Sequence, residues 1–137
     1  MLDEGNFRKS TWQTEGGDVD SGLIELRDSR GRLILTATVR PDERDPRGLY
    51  VNNIQSLAKK IPSDKLGALF GQFLDQMNRG QMDTLYGHVT NPVLERIYKS
   101  AGAKTDASRR LTVDNVSYPI TYIDKAGLER IIHRLRK

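Results

Sequence analysis

The chain has 137 residues, a formal net charge of +4, two histidines and no cysteine, and 36% of its residues are hydrophobic and 29% charged. This length fits one domain with a single core, and the composition is that of a globular protein rather than a disordered one. The lack of cysteine excludes disulfides and a thiolate nucleophile. With only two histidines and no cysteine, no zinc site is expected. The sequence contains no run of about 18 apolar residues, so no membrane-spanning helix is expected.

The N-terminal residues and the charge distribution indicate where the protein acts. The first ten residues are polar and lack the apolar core of a secretory signal, so the expected location is cytoplasmic. An isoelectric point near 9.5 leaves nucleic acid open as a partner. Most lysines and arginines alternate with acidic residues, as they do on a solvated surface, and the clearest basic cluster lies in residues 130–137.

The first third of the chain has the alternation of apolar and polar residues that is typical of β-strands. One strand is predicted over residues 7–15, followed by glycine-rich turns. Residues 23–27 and 33–39 are predicted to form an antiparallel hairpin, because the segment 28–31 between them is polar and ends in glycine.

A further strand is expected over residues 49–57, where the spacing of the apolar residues changes part way. Leu49 and Val51 keep a period of two, whereas Ile54 lies an odd number of positions further on. Either a bulge at Asn52 and Asn53 places the three apolar residues on one face, or the strand is buried on both faces.

The middle of the chain predicts a helix followed by a buried strand. Apolar residues recur at helical spacing from Leu66 to Met77, Ser63 or Asp64 is expected to cap the first turn, and Gly80 is expected to end the helix. The apolar run 82–89 has the length of a buried strand. A helical crossover of this length predicts that this strand lies parallel to the strand over residues 49–57.

The last third begins with a short helix whose start is clearly marked. Asn91 is expected to cap free amides, Pro92 suits the first helical turn, and Gly102 suits the left-handed closing position. A hairpin is predicted over residues 110–113 and 116–123, with an edge position or a bulge at Pro119, which has no amide to donate. An amphipathic helix is predicted at the end, with this apolar face: Leu128, Ile131, Ile132, Leu135.

This order of elements, a hairpin, a strand, a helix, a strand, a short helix and two strands, resembles the C-terminal two-thirds of the GNAT fold of acyl-CoA-dependent N-acetyltransferases. The most specific match is Asn91, Tyr98 and Gly102. It is similar to the family's segment in which an Asn opens the short helix, a Tyr follows, and a Gly begins the next strand. In the family an aromatic residue usually follows that Gly, whereas this chain has Ala103 at that position. The resemblance covers roughly residues 21–123.

The resemblance implies an α/β (α+β) fold: a GNAT-like mixed sheet with an antiparallel hairpin, splayed central parallel strands, two packed helices and a C-terminal helix. A single domain is expected over residues 1–137, with residues 1–20 as an N-terminal segment that could be flexible and residues 125–137 as the terminal helix. Family members usually place a strand and two helices before the hairpin. The chain therefore resembles a divergent or truncated member.

The resemblance also implies a site for acetyl-CoA or another acyl-CoA in the V between the two parallel strands. The bulged strand would offer a backbone amide to the thioester carbonyl, from the segment Asn52, Asn53, Ile54, Gln55. The start of the following helix would hold the pyrophosphate, and Asn91 would approach the cofactor arm. Tyr98 looks like the family's general acid, which protonates the leaving thiolate. The implied cofactor-binding residues are Ser63, Lys65, Leu66, Gly67, Ala68 and Asn91.

The sequence departs from the family in the phosphate loop, which usually reads Q/R-x-x-G-x-G/A. Pro62 stands where an Arg or Gln is usual, and Lys65 replaces the first Gly, while Gly67 and Ala68 keep the pattern. A long side chain at Lys65 narrows the amide cradle, although its ammonium can pair with a phosphate directly.

The residues of the proposed site also allow structural interpretations. Tyr98 fits a buried stripe as well as a catalytic role, since aromatic residues at helical spacing are commonly core. No acidic residue lies between Tyr50 and Leu57, so a water held by Asn52, Asn53 or Gln55 would have to relay the proton of the amine. His88 has a suitable ordinary pKa, but a lone histidine is more often structural.

Two functions follow from these observations. The first is an acyl-CoA-dependent N-acetyltransferase-like protein that transfers an acyl group to an amine of a protein or small molecule by direct attack. The second is a cofactor-free GNAT-like binding or assembly module with a protein or nucleic-acid partner, which Pro62, Lys65 and the short N-terminal part favour. A homodimer is left open in both cases.

Overall fold

The computed structural model describes residues 6–14 and 17–136, which form a seven-stranded mixed sheet and three helices. The strand order is β1-β2-β3-β4-β5-β7-β6. The predicted α/β class with a mixed sheet is therefore confirmed. In chain order the elements are β1 (Asn6–Thr14), β2 (Gly17–Arg27), β3 (Leu33–Pro41), β4 (Gly48–Ser56), α1 (Ser63–Arg79), β5 (Thr84–Gly87), α2 (Pro92–Ser100), β6 (Lys104–Val113), β7 (Val116–Asp124) and α3 (Lys125–Leu135).

Strands β1 to β4 form an antiparallel meander, in which β2 and β3 are the predicted hairpin. Its turn closes through Asp28, whose carboxylate accepts from the amides of Arg30 and Arg32, and Gly31 has the positive φ of 80° that glycine adopts without strain. Strand β1 pairs with β2 along its whole length. A strand therefore does precede the hairpin, and the two residues between β1 and β2 leave no room for helices there.

The register of β3 against β4 contains the predicted bulge. Val51 pairs with Val39 and Asn53 pairs with Thr38, so Asn52 is the extra residue. This insertion brings Leu49, Val51 and Ile54 to the core side of the sheet. Tyr50, on the other side, is also buried, with 5% of its surface exposed.

The second part of the sheet is joined to the first by the parallel pair β4 and β5, as predicted. Strand β5 is shorter than the run 82–89 because Met82 still hydrogen-bonds the end of α1, its amide donating to the carbonyl of Met77. Strand β7 lies between β5 and β6, so Pro119 is not on an edge strand. The register shift in β6 between Asp106 and Arg110 lies opposite Ile120 and Pro119, which is the bulge alternative.

The three helices share one core with the sheet. Helix α1 buries Leu69, Phe70, Phe73 and Met77, and it ends at the expected Gly80, after which Gln81 takes the left-handed conformation. Helix α3 packs along α1 through the predicted face, in which Leu128 and Ile131 are fully buried. No helix in the described ranges combines the length and the apolar character that a bilayer span requires.

Helix α3 is fixed to the rest of the protein by three features. Asp124 caps its start by accepting from the amide of Gly127 at 2.8 Å. Arg130 donates to the carbonyl of Ala101 at 2.7 Å, and Arg134 donates to the hydroxyl of Ser100 at 2.9 Å. Arg134 also donates to the carbonyl of Ser100 at 3.2 Å, so the two arginines satisfy carbonyl groups at the end of α2, which otherwise have no helical partner.

We expect Gly127→Ala to destabilise the protein by about 1–3 kcal/mol, because its Cβ would lie 2.5 Å from Ile123 Cγ1 and 3.1 Å from the carbonyl oxygen of Ala101. Gly71→Ala is the matched control in α1. There the nearest atom is the guanidinium of Arg136 at 3.9 Å, and alanine favours the helix by up to about 1 kcal/mol. Urea denaturation measures both variants, and a Gly127→Ala protein as stable as the wild type would contradict this packing of α3.

Candidate active site

The two parallel strands separate after four residue pairs, from Gly48 and Thr84 to Val51 and Gly87. Strand β5 ends at Gly87, whereas β4 continues to Ser56 in pairing with β3. The predicted splay is therefore present, and it begins at the bulge. Asn52 follows the last paired residue and has no ladder partner in β3, so its backbone groups lie at the apex of the V formed by the two strands.

The walls of this V are apolar and only partly covered. Six apolar side chains near the V pack on the core but remain half-buried. They come from β4, α1, α2 and the segments before α1 and after β5: Ile54, Ile61, Leu66, Val89, Leu94, Ile97. In a closed core such residues would be fully enclosed by neighbours. These six side chains are half-exposed apolar residues that pack on the core, and we call them the apolar slot.

The start of α1 carries backbone amides without a protein acceptor. Pro62 occupies the cap position in an extended conformation, no side chain caps the helix, and Lys65 and Leu66 donate to the carbonyl of Pro62. The expectation that Ser63 or Asp64 caps this turn is wrong, because the helix already begins at Ser63. Among the described residues, the amides of Ser63 and Asp64 therefore have no acceptor, and they lie at the positive end of the helix dipole.

Helix α2 begins and ends as predicted and carries Tyr98 on its buried side. The Asn91 Oδ1 accepts from the amides of Val93 at 2.8 Å and Leu94 at 3.3 Å, and Gly102 has a φ of 90°. Tyr98 is 5% exposed and packs edge-on against Phe70, with 5.6 Å between the ring centroids. Its hydroxyl makes no hydrogen bond within the described part of the chain, and burial raises the pKa of Tyr98.

The other side of the sheet carries a buried polar cluster next to the same apex. Tyr50, in the pair before Val51, hydrogen-bonds the Nδ1 of His88, the residue after Gly87. His88 Nε2 lies 3.3 Å from the carbonyl oxygen of Arg109. With Nε2 donating to that carbonyl, Nδ1 is the acceptor for the Tyr50 hydroxyl, so the geometry fits a neutral imidazole. Burial lowers the pKa of His88, in agreement with this tautomer.

Arg109 is held in this cluster by a buried ion pair. Its guanidinium donates to both carboxylate oxygens of Asp42, at 2.7 and 3.2 Å, and the two side chains are 12% and 0% exposed. It also lies over the ring of Tyr86, whose hydroxyl donates to Asp45 at 2.7 Å. The Arg109 side chain is therefore fixed in position by two neighbours, Asp42 and Tyr86, and its backbone carbonyl is fixed with it.

A groove of about 170 Å³ opens beside Tyr50 and His88. It is lined by these two residues together with Glu43, Ser108 and four arginines: Arg40, Arg44, Arg109, Arg110. We call it the arginine groove. In residues 6–14 and 17–136 no group of three or more His, Asp or Glu side chains is placed to hold a metal ion.

The comparison with known proteins identifies this architecture. No protein-family model matches the sequence, and no curated protein matches it. Among solved structures, a nourseothricin acetyltransferase matches with a TM-score of 0.62 and 15% identity, over 88% of this chain and 84% of that one. A protein described as an acetyltransferase of the GNAT family from Desulfovibrio desulfuricans matches with a TM-score of 0.60 and 13% identity, over 76% and 68%. The chain has the GNAT fold.

A third match with the GNAT fold is a Bacillus subtilis acetyltransferase in complex with CoA, with a TM-score of 0.55 and 11% identity over 76% of each chain. At these identities the likeness establishes the fold and not the reaction. The GNAT fold was the expectation from the order of elements and from the segment between Asn91 and Gly102, and it is confirmed.

The structure brings some of the predicted site residues of this GNAT fold to the V and places others elsewhere. Asn52, Asn53, Ile54 and Gln55 belong to the part of β4 beyond the apex. Ser63 and Lys65 lie in the first turn of α1, and Leu66 contributes to the slot. Asn91 lies shortly after β5, and its oxygen is engaged in the helix cap.

Gly67 and Ala68 both have packing partners. A Cβ on Gly67 would lie 3.0 Å from Arg136 Cγ and 3.2 Å from Leu135 Cβ, so this glycine permits the close approach of α3. Ala68 is 3% exposed and belongs to the core. The glycine that keeps the family pattern thus has a packing role in this chain.

The polar cluster of Tyr50, His88, Asp42 and Arg109 was not foreseen, apart from His88 as a lone candidate. For Tyr50 the sequence does contain one indication of its position. It lies between Leu49 and Val51 in a strand, so its side chain must point to the side of the sheet opposite the core. Asp42 and Arg109 are 67 positions apart, in a loop and in an irregular strand, and nothing local in the sequence pairs them.

Lowering the pH below about 6.5 should reduce the free energy of unfolding through His88. Burial lowers the pKa of His88 from its ordinary 6.5, and the charges of Arg109 and Arg40 act in the same direction, while the hydrogen bond to the Arg109 carbonyl and the charge of Asp42 oppose them. The unfolded chain therefore takes up a proton near pH 6.5 and the folded protein does not. The free energy of unfolding is therefore not reduced by His88 above about pH 6.5. It decreases as the pH falls from there towards the lower pKa that His88 has in the folded protein.

Urea denaturation of the wild type and of His88→Gln between about pH 5 and about pH 8 tests this effect. The variant should lose less stability than the wild type as the pH falls through this range. Parallel curves for the two proteins would show that His88 is not the responsible group.

Proposed function

We propose that this protein is an acyl-CoA-dependent N-acyltransferase in which an amine attacks the thioester directly. The observation that carries the proposal is the Tyr98 hydroxyl: the side chain is 5% exposed and packs on Phe70, yet its hydroxyl has no hydrogen-bond partner in the described residues. The hydroxyl is not among the fully enclosed unpaired atoms of the described residues, so it remains accessible and can donate to a bound ligand.

The residues around the V fit the parts of an acyl-CoA. The half-buried apolar slot suits the pantetheine arm, and the free amides of Ser63 and Asp64 suit a pyrophosphate. The matched acetyltransferase in complex with CoA supports this assignment at the level of the fold. Asp64 is an acidic residue in this first turn, and its charge opposes the binding of a pyrophosphate there.

Acyl-CoA supplies the thioester, and this chain would supply three functions around it. Asn52, the bulge residue without a register partner in β3, would offer its backbone amide to the oxygen that becomes negative during attack. Tyr98 would donate its proton to the sulfur as the carbon–sulfur bond breaks, and its raised pKa keeps it protonated until then.

The proton of the attacking amine would leave through Tyr50 and His88. As the amine nitrogen bonds to the carbonyl carbon, its proton would pass to the Tyr50 oxygen while the Tyr50 hydroxyl proton passes to the Nδ1 of His88. Since the pKa of His88 is lowered, the imidazole is neutral and able to accept at pH 7. This relay replaces the water that the sequence suggested as the base.

Calorimetric titration with acetyl-CoA tests the proposal, and Ser63 offers a matched pair of variants. Ser63→Pro removes one free amide at the first helical position, where proline is well tolerated and where the extended Pro62 already has the conformation that a following proline requires. Ser63→Ala keeps that amide. We expect Ser63→Pro to weaken binding by about tenfold or more, as for a hydrogen bond to a charged group, and Ser63→Ala to bind like the wild type.

A folded wild type that gives no heat at millimolar acetyl-CoA would end the proposal, and equal affinities of the two variants would contradict the phosphate position. The first result would favour the other function, a cofactor-free binding or assembly module. One observation favours that function now: Gly67, the glycine of the family's phosphate loop, is covered by Leu135 and Arg136 of the C-terminal helix.

A further inference from the structure

The arginine groove lies where an acceptor of the proposed reaction would approach. Tyr50 and His88 form its inner end, and they flank the last residue pair of the V, Val51 with Gly87. Tyr50 points to the side of the sheet opposite the apolar slot, because Leu49 and Val51 on either side of it face the core. A molecule in the groove therefore reaches the apex of the V from the side that the proposed cofactor leaves open.

The charges of the groove are unequal and mostly fixed in place. Arg109 is neutralised by Asp42, and Arg110 is oriented by hydrogen bonds to the hydroxyl and carbonyl of Ser117 at 2.6 and 3.0 Å. The Arg40 guanidinium lies 4.3 Å from the centroid of the Tyr50 ring. Arg44 makes no ion pair with a described residue, and Glu43 is the acidic residue of the lining.

The excess of positive charge selects the kind of molecule that can enter. A guanidinium recognises carboxylate and phosphate groups, and oriented guanidiniums in a confined groove bind such groups better than mobile ones on an open surface. A polyamine or another multiply cationic acceptor would be repelled, because Asp42 neutralises only Arg109 and the other three arginines of the lining outnumber Glu43. The volume of about 170 Å³ suits one small anionic group rather than a polymer.

We propose that the arginine groove binds the anionic group of the acceptor, so that the preferred acceptors are amines that also carry a carboxylate or a phosphate, such as amino acids. This inference rests on the proposed acyltransferase function and names its substrate class. Arg40 and Arg44 hold the anion, and the amine nitrogen then lies towards Tyr50, at the inner end of the groove and next to the apex.

Matched acceptor pairs test the inference: lysine against cadaverine and tyrosine against tyramine, each pair differing by one carboxylate. With saturating acetyl-CoA, kcat/KM is expected to be at least about tenfold higher for the amino acid of each pair. O-phosphoethanolamine against ethanolamine distinguishes a phosphate from a carboxylate. Arg44→Gln should reduce the preference by about tenfold, mainly through KM, and the exposed turn residue Arg30→Gln should leave it unchanged.

Two binding measurements separate the failure of this inference from that of the proposed function. If acetyl-CoA binds to the wild type and to Arg44→Gln but neither amino acids nor phosphoamines are preferred, the groove is not the acceptor site and the acyltransferase proposal stands. If acetyl-CoA does not bind, both fail. Titration with inorganic phosphate, followed by the amide resonances of residues 40–44 and 108–110, must show saturable shifts that Arg44→Gln weakens; their absence would overturn the anion site.

Discussion

Replacing Tyr98 by Phe should lower kcat for acyl transfer by about 100-fold or more, with little change in stability or in the affinity for acetyl-CoA. The hydroxyl has no hydrogen-bond partner among the described residues, so its removal breaks no bond in the fold, and the Phe side chain keeps the edge contact with Phe70. A group that contributes nothing to folding and much to turnover is one that acts on the reaction.

Steady-state kinetics, calorimetric titration and urea denaturation of Tyr98→Phe check the three parts of this expectation. Tyr118→Phe, in the hairpin of β6 and β7, is the control for loss of a tyrosine hydroxyl away from the V. An unchanged kcat in a variant that still binds acetyl-CoA would assign Tyr98 to the core alone and would remove the general acid from the proposal.

Asp42→Ala should destabilise the protein by about 3–5 kcal/mol, the largest stability effect that we expect for a single polar residue in this chain. The substitution leaves the guanidinium of Arg109 buried without its carboxylate partner. It also removes the acceptor for the amides of Arg44 and Asp45, which shape the loop between β3 and β4. Urea denaturation at neutral pH measures the change in the free energy of unfolding.

Glu95→Ala is the matched control for Asp42→Ala. It breaks the ion pair of Glu95 with Lys99, whose atoms are equally close at 2.8 Å but whose side chains are 48% and 65% exposed. An exposed pair at this helical spacing contributes about 0.5 kcal/mol or less. Similar losses in the two variants would mean that the Asp42 pair is solvated and does not fix the position of Arg109.

The elements with strong local patterns could be predicted from the sequence, and the reasons are visible in the structure. Helix α1 has the predicted bounds because its apolar residues keep helical spacing without interruption up to Gly80. Helix α2 was marked by Asn91, which does cap it, and by Gly102, which does adopt a left-handed conformation. The bulge at Asn52 could be predicted because Val51 and Ile54 are three positions apart, which would place them on opposite faces of a regular strand. One added residue keeps both on the core side.

One prediction failed for a local reason, and two further features that the sequence did not reveal depend on tertiary contacts. The caps expected from Ser63 or Asp64 are absent because Pro62, one position earlier, already has the extended conformation of a cap residue. The packing of Gly67 against α3 follows from the position of the C-terminal helix, which lies beyond the region that resembles the family. The pairing of Tyr50 with His88 joins residues 38 positions apart, so no local pattern could have revealed it.

The short parallel ladder between β4 and β5 divides the sheet into two parts, which we call leaves, and the ladder is the seam between them. The leaf of β1 to β4 and the leaf of β5, β7 and β6 are hydrogen-bonded to each other through the four pairs between Gly48 and Gly87. Helix α1 contacts both leaves and stabilises the seam between them. A rotation of one leaf about the seam would change the width of the V without breaking a hydrogen bond inside either leaf, but it would strain the bonds from Tyr50 to His88 and from Arg109 to Asp42, which therefore hold the width of the V.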